Sequence, residues 1–191
     1  TLDNSFGTNG KVIKNFGSTD FGLAMALLPN GKIVVAGRAY NGQNGDFALV
    51  QLNPNGSFDN TFGTAGAVLA NLFGEDESAN AIAIQSDGKI VLTGDRYANN
   101  VSVFAAARFN SDGSLDPSFS GDGKQSTAIG TLSDVAYAVA IQTDGKIVLA
   151  GQSNTAAVSD FALVRYLNDG SLDASFSGDG MLTTSPSNGG D

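Results

Sequence analysis

The chain has 191 residues, 41% of them apolar, and carries a formal net charge of −9 with no His and no Cys or Trp. Those absences remove Ser-His-Asp and Cys-His nucleophiles, zinc centres of the His/Cys type and redox dithiols. The scattered Lys and Arg argue against nucleic acid, and no apolar run approaches the roughly 20 residues of a spanning helix.

In chain order, residues 1–19 read as a partial repeat: "LDNSFGTNGKV" recurs later, and "KVIKNF" reads as the outer strand of a preceding unit. The chain begins on Thr1 without a signal-like segment, so it reads as a mature or clipped piece of something longer. Three in-register units of 57 residues follow, 20–76, 77–133 and 134–190. Their anchors are Gly31-Lys32, Gly88-Lys89 and Gly145-Lys146, then "GSFDNTF", "GSLDPSF" and "GSLDASF".

Each unit predicts four strands and no helix, because the Gly and Asn density disfavours helices. The first strand is "AMALL", "AIAIQ" or "AVAIQ", ended by Asn-Gly or Asp-Gly, the chemistry of a two-residue hairpin. "KIVVAG", "KIVLTG" and "KIVLAG" form the second, and "DFALVQL", "VFAAARF" and "DFALVRY" the third. "AVLANLF", "KQSTAI" and "MLTTS" form the polar fourth. The small residues of the first strand suit a crowded axis. Phe6, Phe62, Phe119 and Phe176 are placed as wedges between sheets. The fold class is therefore all-β, of the β-propeller type: three four-stranded antiparallel blades plus one extra N-terminal strand. A three-sheet β-prism is the alternative. Three blades fall short of the usual ring of four to eight, so further blades come from a longer parent chain or a homo-oligomer.

The strings "AIQSDGKIVLTG", "DFALVRY" and "DGSLDASF" resemble the bacterial delta-60 repeat, a tandem repeat assigned to β-propellers. The resemblance covers essentially the whole chain and implies an exported or surface protein; it supplies no activity. The middle unit departs most, with Val103 where Asp46 and Asp160 stand.

Asn110, Asp112, Asp116, Asp169 and Asp173 place oxygen ligands around Gly in a pattern loosely like a calcium loop. The same residues close backbone turns, which is the preferred reading, with calcium second and no other cofactor implied. Lys32, Lys89 and Lys146 are expected to pair with local carboxylates. Glu75, Asp76 and Glu77 offer the one carboxylate cluster that suits an acid-dependent hydrolase, a minor alternative.

The loops between second and third strands, and those between units, vary in sequence, and in a blade both sets emerge on one face. Tyr40, Asn41, Gln43, Asn44, Arg96, Tyr97, Asn99 and Asn100 give that face aromatic platforms and amides suited to a glycan or a protein loop. The expected function is a non-catalytic adhesion or binding module of a bacterial surface or secreted protein. The alternative is a structural subunit assembling into a ring or fibre through the spare N-terminal strand.

Overall fold

The computed structural model describes residues 1–154 and 158–184. Described residues contain twelve strands and no helix. The first blade is β1 (Asp20–Leu27), β2 (Ile33–Tyr40), β3 (Gly45–Leu52) and β4 (Ala67–Ala70). The second is β5 (Asp76–Ile84), β6 (Ile90–Ala98), β7 (Val101–Phe109) and β8 (Lys124–Thr127). The third is β9 (Asp134–Ile141), β10 (Ile147–Asn154), β11 (Ser159–Tyr166) and β12 (Met181–Thr184). Each blade is an antiparallel sheet whose strands lie side by side in chain order, as the repeats predict. Ser185, the end of the string "MLTTS", and residues 186–190 of the third unit lie outside the described residues.

Alternation along β2 and β3 gives every blade two apolar faces. In the second blade Ile90, Leu92, Ala105, Ala107 and Phe109 face the first blade, meeting Val34, Phe47, Leu49 and the wedge Phe62. Val91, Phe104 and Ala106 face the other way, onto Ile147, Leu149, Ala162, Val164 and Tyr166 of the third blade, around the wedge Phe119. Two stacked joints, not one central core, therefore hold the chain together. Phe62 and Phe119 are fully buried, while Phe6 and Phe176, at the two ends of the stack, are only half-buried.

Two turns differ from expectation. The Asn-Gly and Asp-Gly hairpins are not two-residue turns: Leu28 N–H donates to Lys32 O and Gly31 N–H to Leu28 O, leaving three residues between the paired ends. Only the Gly has positive φ there, 80–85° in the three copies, the pattern of a type I turn followed by a left-handed Gly. The true two-residue hairpin is Asn99-Asn100, with φ of 51° and 68°, linking β6 to β7.

The extra N-terminal strand does not form. Within residues 11–16 only Lys11 makes a bridge, a local one to Gly7 and Thr8. The reason is topological: β4 forms by pairing with β3, and residues 1–10 contain no such partner. The turn before it is nonetheless seated as in a complete blade. Gly7 N–H donates to Asn55 O at 2.8 Å, matching Gly63 to Asp112 and Ser120 to Asp169, each at 2.7 Å.

Candidate functional site

The first chemistry-bearing feature sits in the repeated turn. Asp59, Asp116 and Asp173 are nearly buried, and each gathers donors from its own blade. Lys32 donates to Asp59 at 2.6 Å; Lys89 and Lys146 lie 3.3 and 3.2 Å from Asp116 and Asp173. The second donor comes from the third strand: Gln51 Nε2 at 2.6 Å, Arg108 Nε at 2.6 Å and Arg165 Nε at 2.7 Å. The other oxygen accepts from Thr61, Ser118 or Ser175. The expected pairing of the Gly-Lys lysines is thus observed. Their Gln/Arg partners were not anticipated, although they recur every 57 residues.

These contacts set the acidity. The Lys32 ammonium first, then the Thr61 hydroxyl, hold Asp59 well below the usual carboxylate range. Burial alone would raise Asp116, but Ser118, Lys89 and Arg108 outweigh it and bring the carboxyl to about 2. The Ser175 hydroxyl leads the same effect at Asp173.

The calcium candidates are occupied by turn chemistry. Asp112 and Asp169 accept from the N–H and hydroxyl of Ser114 and Ser171, and Asn110 donates to Ser114 Oγ and Leu115 O. Asp116 and Asp173 already face cations. Among the described residues no group of three or more acidic side chains is arranged to hold a metal ion.

A second recurrent feature ties blade to blade. Asp20, Glu77 and Asp134 stand 57 residues apart at the start of the innermost strands. Asp20 accepts from Phe16 N–H, Glu77 from Leu72 and Phe73, and Asp134 from Ile129 and Gly130. Each carboxylate staples the loop arriving from the preceding fourth-strand position. Their regular spacing was the available signal. Burial pushes the Glu77 carboxyl up to about 7, with the Asp46 charge adding, against the pull of the two N–H donors.

The loop face gathers some of the predicted residues and disperses others. Asn41 Oδ1 accepts from the N–H groups of Gln43 and Asn44, and its Nδ2 donates to Asn44 and Asp46. Asn44 in turn donates to Glu75 O across the first joint. These amides shape the loop; they do not stand free. Asn99 and Asn100 are explained by their left-handed φ, a conformation Asn tolerates. Arg96 donates to Glu75 at 3.0 Å and lies over the Phe73 ring. Of the third such loop, residues 155–157 lie outside the described residues.

Gln43, Tyr40 and Tyr97 stay exposed, Tyr40 and Tyr97 by 37% and 46%. Tyr40 and Tyr97 hold the same repeat position on successive blades, at or next to the ends of β2 and β6. Tyr97 lines a hollow of about 250 Å³ with Arg38, Asp76, Glu77, Asp95 and Ser102. Tyr40 lines another of about 290 Å³ with Ser18, Thr19 and Phe21, and Arg38 is a wall of both. Arg38 is fixed there by Asp76, at 2.5 Å. The Glu75-Asp76-Glu77 run splits three ways: to Arg96, to Arg38 and Gly45 N–H, and into the joint.

The family model described as "Domain of unknown function (DUF5122) beta-propeller" matches residues 28–62, 85–119 and 142–176, more than half of the chain. The chain belongs to this family. Each DUF5122 match runs from the first hairpin to the wedge Phe and so contains the whole Lys, Gln/Arg and Asp hub. The staples Asp20, Glu77 and Asp134 fall outside the DUF5122 matches. No curated protein matches the chain.

Proposed function

We propose that the chain is a non-catalytic recognition module of a bacterial surface or secreted protein, binding a glycan or a protein loop on its variable-loop face. The observation that carries this reading is the pair Tyr40 and Tyr97, exposed at equivalent positions on adjacent blades and opening onto two hollows that share Arg38. An aromatic face beside a fixed guanidinium and the Asp76 and Asp95 carboxylates offers stacking plus directional polar contacts. The hollows fall below the roughly 300–1,000 Å³ of pockets that engulf a drug-sized ligand, which suits the end of a chain.

The non-catalytic reading is supported by Glu77. Its raised pKa marks it as an acid-base candidate, yet Asp20 and Asp134 make the same backbone contacts at their own positions, so its task there is structural. Calcium stays a subsidiary proposal at the exposed turns around Asp112 and Asp169, outside this face.

A glycan array probed with the purified chain tests the reading. Binding to a defined glycan class that falls at least tenfold in Tyr97→Ala, at unchanged melting temperature, is the expected result. No binding across the array, together with no loss of any protein partner in Tyr40→Ala/Tyr97→Ala, overturns it.

A further inference from the structure

The two ends of the blade stack expose faces whose repeat equivalents are buried inside it. On the third blade, Phe161 stands 71% exposed, whereas Phe47 and Phe104, at the same position, are fully buried in the two joints. On the first blade, Met25 and Leu27 are 60% and 67% exposed. Their equivalents Ile82, Ile84, Val139 and Ile141 pack against the joints. Beside them lies an apolar hollow of about 300 Å³, lined by Val35, Ala48, Val50 and Leu52. Those four match Leu92, Ala105, Ala107 and Phe109, which bury themselves against Phe47 and its neighbours. The hollow is therefore where a Phe of a preceding blade would go, and Phe161 is such a Phe without a hollow.

We propose that these faces are two halves of one joint, and that a second copy of this chain supplies the missing half, third blade onto first. Such a contact is heterologous, so it closes a ring if the rotation suits and otherwise propagates. Continuity with the internal joints is the argument for this partner. Apolar side chains at the same repeat positions already form that contact twice within the chain.

Residues 11–16 hold the place that β4 and β8 hold in the internal joints, and Val12 and Phe16 line the hollow. An arriving third blade brings its own β12, paired over four residues with β11. The N-terminal segment makes no ladder to β3: its one β-bridge is the local one at Lys11, and the Phe16 N–H bond to Asp20 anchors only its far end, so it gives way. Each copy carries a charge of −9, so association strengthens with salt until screening is complete.

The test is light scattering and sedimentation over a concentration series at moderate salt, using the full chain and two variants, Phe161→Asp and Met25→Asp/Leu27→Asp. All three positions are exposed in the single chain, so folding is retained, and circular dichroism and melting temperature check it. The wild type is expected to gain mass with concentration, stopping at two copies or growing on. Each variant alone stays monomeric. Mixed together they form a 1:1 pair and nothing larger, because each retains one intact face. A wild type that stays monomeric throughout, a variant that associates like the wild type, or a mixture that stays monomeric would overturn the proposal.

Discussion

Glu77 shows how a single side chain can be conspicuous for structural reasons. Its carboxylate holds Leu72 and Phe73 N–H groups inside the first joint, and burial lifts it to about 7. A folded-state value above the unfolded one means stability fully present below the unfolded value and lost as pH rises through the folded one. Between pH 5 and 8 wild-type stability should therefore fall relative to Glu77→Gln, by about 1–3 kcal/mol, since each tenfold change in proton affinity is worth roughly 1.4 kcal/mol. Chemical denaturation of both proteins across that range checks it, and parallel curves refute it. Asp59, Asp116 and Asp173 do not confuse the result, because their lowered values leave them ionised throughout.

Among elements, the innermost strands explain the Gly that ends "KIVVAG", "KIVLTG" and "KIVLAG". Pairing with the second strand skips Leu23, Asn80 and Tyr137, a bulge at the same place in each blade. The bulge drives the inner backbone against the second strand. A Cβ on Gly37 or Gly94 would meet the Phe21 or Ser78 carbonyl oxygen at 1.8 Å, and one on Gly151 that of Val135 at 1.9 Å. Backbone cannot step aside as a side-chain tip can. Gly94→Ala is expected to destabilise the chain by about 3 kcal/mol or more, at or above the usual range for overpacking. Gly74→Ala, with open space around it, loses far less, through its positive φ alone. Thermal melts of the pair decide; equal losses would show that the close approach is not the cause.

For the whole molecule, stability is a sum of blade and joint contributions, as in other repeat arrays. The second blade alone has both faces covered by described residues of the chain. Amide exchange should therefore be slowest in β6 and β7 and faster in β1–β3 and β10–β12. Mass spectrometry of exchanging peptides reads this directly, and uniform protection across the three blades would contradict it. If copies associate end to end, the outer blades gain protection with concentration while the middle one does not.

Much of this architecture was legible in the sequence because a repeat of fixed length carries its own register. Identical spacing pointed to the three sheets, the meander order and the Lys-to-Asp pairings, all local to one unit, and to the wedges Phe62 and Phe119 between units. The candidate site was less legible. Asn41, Asn44, Asn99 and Asn100 looked like free binding amides, but their partners and φ angles show them to be loop-forming, which composition cannot distinguish. Arg38, Asp76 and Asp95 meet only because two blades pack side by side. The N-terminal segment has the right residues for a strand and no neighbour to pair with. A β-strand is a relation between segments, as is a joint between blades. What each unit would become was written in its own residues, whereas the faces and side chains left uncovered follow from how the units pack.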